Sequence, residues 1–313
     1  MRATAAYATP GALNLAIMAG AICGICLCLW VSSHTQSWPL AILAAVAFAL
    51  LGNTCYALMH EAVHGVFHDD PLINENAGRI LAAFFPTAFV FQRIFHLTHH
   101  KNNRSEHERF DYYAPSENRF LKFVQWYCIL TGLYWLALPT FCIVYFFLAD
   151  LLQWRTLFGR KGAWFAQQTS AQEFLDAVAT VPVWRGRLDI AVAAIVQLAL
   201  SLALDLSFGG WMLCYAAFGL AWSSLQYADH AFSPVDRYDG AWNLKVSNFT
   251  RLVFLNYHYH LVHHREPSIP WNLLPKHVRE GDPHPTFWSM YLKMWRGPRP
   301  LPQGAQTNPA DNA

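Results

Sequence analysis

The stretch Leu40–His64 reads LAILAAVAFALLGNTCYALMHEAVH. From Leu40 to Met59 it carries no charge, and about 20 helical residues at 1.5 Å each cross a hydrocarbon core of about 30 Å. His60 and His64 follow at once, spaced i and i+4. A continuing helix therefore puts both imidazoles on one face, just beyond the apolar run. A span that ends in a pair of metal-ligand side chains constrains fold and chemistry together.

Three further stretches are long enough to span: Ala12–Val31, Leu188 to about Leu206, and Trp211 to about Tyr227. The first is longer than the apolar run of a secretory signal and has no small-residue cleavage site after it, so it is expected to stay as an anchor. Composition agrees. Of 313 residues, 54% are hydrophobic and 13% charged, about half the charged share of a soluble domain. That supply cannot clothe soluble cores of this size. The hydrophobicity excludes disorder, and a net charge of +2 speaks against nucleic-acid binding. The seven cysteines all lie in apolar stretches, with Cys23-Gly-Ile-Cys26 in mid-span, so no disulfide framework or redox motif is expected.

Lysine and arginine are missing from residues 3–78 and 188–236. The connectors Ser32–Pro39 and Ser207–Gly210 therefore carry no basic residue, and the positive-inside rule places the remaining regions in the cytoplasm. The expected fold is an all-α integral membrane domain over residues 1–302. It comprises two transmembrane hairpins, four spans in all, with a histidine-rich cytoplasmic cap. A polar tail, 303–313, is expected to fray. Two apolar stretches complicate the count. Phe120–Leu148 is flanked by basic regions on both sides, which favours a re-entrant or interfacial hairpin bent at Pro139 over a fifth crossing. Ile80–Phe95 is short and contains Pro86 and Arg93, so it reads as interfacial or re-entrant.

The odd number in the composition is 15 histidines. His96-Leu-Thr-His99-His100 and His260-Leu-Val-His263-His264 join the HxxxH pair of His60 and His64. At this frequency HxxxH is expected roughly 0.7 times by chance and HxxHH about 0.03 times. One HxxxH means nothing alone, whereas two HxxHH triples call for an explanation. Both patterns aim their imidazoles at one helical face, and all three clusters sit at membrane ends assigned to one side. Imidazole suits iron, zinc, copper and nickel, and eight ligands exceed what one first-row metal takes, so two metals are the natural count. His230, directly after the fourth span, lies at the same depth and reads as a further ligand. His68 continues the first stripe and stays open as an extra ligand, while His258 reads as structural or as a support for a ligand. His34, His107, His277 and His284 read as polar surface.

This order of histidine boxes on a four-span chain resembles the membrane fatty acid desaturase superfamily over about Leu40 to Pro275. His64-Gly-Val-Phe-His68 to Asn76-Ala-Gly78 is similar to the sequence after its first box. Asn256-Tyr-His-Tyr-His260-Leu-Val-His-His264 with Pro267, Ile269-Pro-Trp271 and Leu274-Pro275 is similar to its third. The resemblance implies two irons, O2 as co-substrate, and a ligand set of His60, His64, His96, His99, His100, His230, His260, His263 and His264. It also implies a fatty acyl substrate from the bilayer that gains a carbon–carbon double bond. The 31 residues between His64 and His96 separate the chain from sterol-desaturase-type hydroxylases, which place their first boxes closer together. A related di-iron oxidation of a lipid stays open: hydroxylase, carotenoid ketolase or hydroxylase, or 1-alkene-forming decarboxylase. The reading of another class is a non-catalytic metal-binding membrane protein. It is disfavoured because the spans offer few polar side chains beyond hydroxyl residues, Asn14, Asn53, Gln197 and Asp205 among them, and no facing histidine pair.

Metal-bound imidazoles usually donate their second N–H to a carboxylate or carbonyl. Asp229 is the preferred partner because it adjoins His230, followed by Glu61, and Asn256 could act through water. Glu106, Glu108 and Asp111 are also near in sequence. Trp271 is a candidate lid residue. No ferredoxin cysteine pattern, haem-binding segment or nucleotide-binding glycine motif is present, so electrons are expected from a separate ferredoxin or cytochrome b5-type donor with its reductase. Arg104, Arg109, Arg155, Arg160, Lys161, Arg185 and Arg187 offer a basic face that could dock an acidic donor, or that serves only to set the topology.

Overall fold

The computed structural model describes residues 7–106, 108–152 and 170–302. The expected tail 303–313, His107, Arg155, Arg160 and Lys161 lie outside the described residues. Helix makes up 65% of the described residues, and among them strand is confined to a parallel pair, β1 (Tyr112–Tyr113) with β2 (Arg299–Pro300), so the mostly helical expectation holds. The first two helices, α1 (Gly11–His34) and α2 (Trp38–His64), form an apolar hairpin. Helix α2 has 27 residues, a length of about 40 Å. That outruns a hydrocarbon core of about 30 Å, so its last turns carry His60 and His64 beyond the apolar run. Pro39 occupies the first turn, where a missing N–H is harmless, and Gly65 ends the helix at φ 76°, a left-handed conformation suited to glycine.

Lipid is as apolar as leucine, so close contact rather than water exclusion holds such helices together. The buried face of α2 supplies it with small residues: Ala41, Ala44, Ala45, Ala49 and Gly52. At Gly52 an added Cβ would stand 2.7 Å from the Phe218 ring.

The next pair, α3 (Pro71–Phe84) and α4 (Phe89–Asn102), meets at a 96° bend, consistent with the interfacial or re-entrant reading of this region. Asp70 caps α3 by accepting the Leu72 and Ile73 amides, with Pro71 beside it. The elbow is pinned from outside: Asp189 accepts Arg79 Nε at 2.8 Å and the Val90 amide at 2.9 Å.

Two expectations for the spans are corrected. The Phe120–Leu148 stretch forms two helices, α5 (Arg119–Leu130) and α6 (Leu133–Leu152). The chain breaks at Thr131–Gly132, where Gly132 has φ 87°, and not at Pro139, which lies inside α6. The second expected hairpin is splayed. After α7 (Ser170–Val178), α8 (Val183–Ala203) packs on α3 and α6, while α9 (Phe208–Leu225) packs on α2 and α1. Gln197 links them, donating to Tyr215 Oη at 2.7 Å and accepting the Trp211 indole at 3.1 Å. Four described helices are long and apolar enough to cross a membrane: Gly11–His34, Trp38–His64, Leu133–Asp150 and Val183–Ala203. Leu133–Asp150 replaces the expected Trp211–Tyr227 span in that set, because glycines and indoles dilute the apolar character of α9.

The cap is completed by three short helices, α10 (Asn248–Val253), α11 (His260–Arg265) and α12 (Phe287–Met294). All seven cysteines are free.

Candidate metal centre

Four segments bring the histidines together: the end of α2, helix α4, the turn after α9, and α11. They form two groups whose ligand atoms lie within 4.8 Å of one another: His60, His64, His96, His100 and His263, and then His99, His230, His260 and His264. The helical spacing does the sorting. In α4, His96 and His100 are four apart and join one group, while His99 turns to the other. In α11, His260 and His264 pair in the same way and His263 crosses over.

In the group of four, the Nε2 atoms close a ring. His99 to His230 is 3.2 Å, His230 to His260 2.9 Å, His260 to His264 3.2 Å, and His264 to His99 3.3 Å. A neutral imidazole nitrogen offers either one N–H or one lone pair. Four such atoms in a ring therefore satisfy at most two of the four edges by hydrogen bonding. A central cation turns every lone pair into a ligand instead. Metal–nitrogen bonds of about 2.0–2.1 Å at angles between 90° and 109° set neighbouring nitrogens about 2.8–3.4 Å apart, the range seen here. In the group of five, His64–His96 and His96–His100 are 2.8 Å and His100–His263 is 3.0 Å, again between Nε2 atoms. The His60 Nε2 is buried and has no hydrogen-bond partner. The residues present fit two metal ions.

The opposite ring nitrogens set the tautomer. His230 Nδ1 stands 2.9 Å from the Gly240 carbonyl, which can only accept, so Nδ1 carries the proton and Nε2 presents its lone pair. Glu108 Oε2 lies 3.4 Å from His99 Nδ1, and Asp229 Oδ2 lies 3.5 Å from His260 Nδ1. Burial pushes His230, His260, His263 and His264 well below the ordinary histidine range, with neighbouring imidazoles adding to the effect. They are held neutral, as metal binding requires. Burial also drives the Asp229 carboxyl well above its usual range.

The sign of the pH dependence follows. An unfolded histidine takes up a proton near pH 6.5, whereas these four resist it when folded. Stability of the metal-free protein is full above that pH and falls below it, by roughly 1 kcal/mol per histidine per pH unit. The thermal midpoint of the metal-free protein should drop steadily from pH 7 to pH 5. A flat midpoint would mean that these imidazoles are solvated.

Several expected supporting residues stand elsewhere. Asp229 reaches His260, not the adjoining His230. Glu61 and Asn256 touch no imidazole and instead hold Trp271 between them. Glu61 accepts the Trp271 amide at 3.0 Å, Asn256 Nδ2 donates to its carbonyl at 3.2 Å, and the indole donates to Asn14 Oδ1 at 2.9 Å. Trp271 is thus held at its amide, its carbonyl and its indole. His68 lies outside both groups, its Nδ1 accepting the Asp70 amide. Asp111 binds Arg104 Nη1 and Nη2 at 2.7 and 2.9 Å, and Glu106 is exposed beside Arg109. Arg104 and Arg109 are both buried, which removes them from any docking face. Arg185 and Arg187 are bound to Glu75 and Asp150. His34 caps the Trp30 carbonyl and His277 packs edge-on to Tyr7.

Three features escaped the sequence. One is the Gly240 carbonyl, which has no side-chain signal. Another is Tyr257, whose ring lies 5.0 Å from the His60 ring and 4.9 Å from the His260 ring. The third is a cavity of about 690 Å³ lined by Tyr56, Ala57, Asp229 and Tyr257 together with Leu244, Val246, Phe254 and Phe287.

A helical chain with membrane-spanning segments and two histidine-lined metal pockets falls in the class of membrane metalloproteins. Comparison with known proteins places it further. The sequence model of the family "Fatty acid desaturase" matches residues 36–296, and the chain belongs to that family. It is also similar to the acyl-lipid omega-3 desaturase (cytochrome b5), endoplasmic reticulum, of Arabidopsis thaliana, at 37% identity over 70 residues. That match covers 22% of this chain and 18% of the plant protein's length.

Proposed function

We propose that this protein is an O2-dependent oxidoreductase that introduces a carbon–carbon double bond into a fatty acyl chain, using two irons held by the nine histidines. The observation that carries the reading is the closed ring of Nε2 atoms of His99, His230, His260 and His264 beside the second group of five. His60, His64, His96, His100 and His263 would hold one ion, and the ring of four the other. When bound, two irons supply the chemistry of O2 reduction coupled to loss of two hydrogens from adjacent carbons. The balance is one O2, two electrons and two protons, plus the two substrate hydrogens, giving two waters and the alkene. The electrons come from a separate donor of the ferredoxin or cytochrome b5 type.

The chain's own residues do the rest. The cavity receives the acyl chain and excludes water, and Tyr56, Ala57 and Tyr257 line its buried end next to the imidazoles. Glu108, Asp229 and the Gly240 carbonyl orient three of the rings, which keeps each lone pair on its metal. Residues 1–302 act as one membrane-embedded unit. The absence of Lys and Arg from residues 3–78 and 188–236 supports a cytoplasmic position for the histidines.

Heterologous expression followed by mass-spectrometric profiling of lipids and hydrocarbons tests this reading. New double bonds in acyl chains are the expected result. New hydroxyl or keto groups, or 1-alkenes, would transfer the protein to the related oxidations, and an unchanged lipid profile with bound zinc would remove the redox reading.

A further inference from the structure

The cavity beside the metal centre is polarised by charge. Apart from His258 and two tyrosines, its lining includes one carboxyl, Asp229, and one ammonium, Lys245. Asp229 is 4% exposed and lies against His260, so it marks the inner end. Lys245 is exposed and marks the outer end. Its backbone is fixed: the amide donates to the Pro285 carbonyl at 2.8 Å, and its carbonyl accepts the Phe287 amide at 3.1 Å. No carboxylate pairs with the Lys245 ammonium among the described residues. Ser247, Thr250 and Thr286 line the cavity with it and add hydroxyls. Phe249, Leu252 and Trp288 are all exposed nearby in sequence or on the lining, an apolar fringe suited to a bilayer interface.

An unpaired cation on an apolar slot has a definite ligand chemistry. A chain with an anionic end gains an ion pair at the rim if it enters tail first. The same end would be buried away from any lysine or arginine if it entered head first, since Lys245 is the one such residue on the lining. We propose that the cavity takes long-chain acyl substrates whose end is an anion, carboxylate or phosphate, held by Lys245 with the hydrocarbon directed toward Tyr257 and Asp229. The inference rests on the acyl-oxidation reading above and adds the charge and polarity of the substrate.

The test uses full-length protein in neutral phosphatidylcholine nanodiscs at pH 8. The probes are 16-doxylstearic acid and its methyl ester, which share a chain and differ in charge. The protein-immobilised fraction, read by electron paramagnetic resonance, gives their relative affinities. The acid should bind about three- to tenfold more tightly than the ester, the scale of a partly exposed charged contact. Lys245→Met should erase that preference with ester binding unchanged, and Lys245→Arg should keep it. Competition by stearate alone assigns the site to carboxylates, and competition by 1-stearoyl lysophosphatidate assigns it to phosphates. Either supports the anionic end. An acid-to-ester ratio near one, or a ratio that survives Lys245→Met, overturns it. If neither probe is immobilised, the acyl reading itself fails, a result distinct from loss of the charge preference.

Discussion

His99→Ala is expected to abolish detectable product and to halve the iron content per chain. His99 Nε2 is one corner of the four-imidazole ring, 3.2 Å from His230 and 3.3 Å from His264. Removing it leaves three of the four imidazoles that would hold that ion. Residues that only support a ligand already change affinity or activity by about 10- to 100-fold, so loss of a ligand itself should exceed about a hundredfold. His99 is only partly buried, and apart from neighbouring imidazoles its side chain meets Glu108, so folding should survive. Iron analysis of the purified variant, together with its melting curve, separates the two effects. Full iron loading with wild-type turnover would remove His99 from the metal set.

The second large effect lies away from the metals. Arg104→Met should lower the melting midpoint of the detergent-solubilised protein by about 10 °C or more, from a loss of about 3–5 kcal/mol. The Arg104 guanidinium is 1% exposed and Asp111 is fully buried. Their bidentate contact is completed by Tyr227 Oη at 2.9 Å and by the Ser233 and Pro234 carbonyls. Without the cation, the carboxylate stays buried with only the Tyr227 hydroxyl and the Phe232 amide as donors. Because Phe232 lies two residues after His230, the damage should also reach the metal centre. Lysine cannot replace the planar fork, so Arg104→Lys should recover little. A midpoint within 2 °C of wild type, measured by size exclusion after heating, would refute the structural role of this pair.

The histidine clusters were legible because helical periodicity alone aligns i, i+3 and i+4. The same arithmetic shows why Glu61 was misread. It follows His60 by one residue, which turns it about 100° around the helix, away from the imidazoles and toward Trp271. Asp229 supports a ligand as expected but changes partner by the same step, adjoining His230 in sequence while reaching His260 in space. The break at Thr131–Gly132 was signalled by a glycine that the more conspicuous Pro139 masked. A proline near the start of a long apolar helix removes one hydrogen bond, whereas the left-handed φ of Gly132 ends the helical geometry outright. The buried arginines illustrate a further limit: composition counts charges but does not say which of them has a partner seven residues away.

The bond between the Trp271 indole and Asn14 joins residues 257 apart in the chain. A ribosome adding about 5–20 residues per second needs roughly 10–50 s to cover that interval. Helix α1 therefore waits in the bilayer, with a buried amide that has Phe67 as its early partner, until nearly the whole protein has been made. The metal pockets share that delay, since His263 and His264 emerge in the same late segment. Assembly is thus closed by its last-made part, and a nascent chain interrupted before His260 would lack both the Trp271 partner of its first helix and three of the nine candidate ligands, His260, His263 and His264.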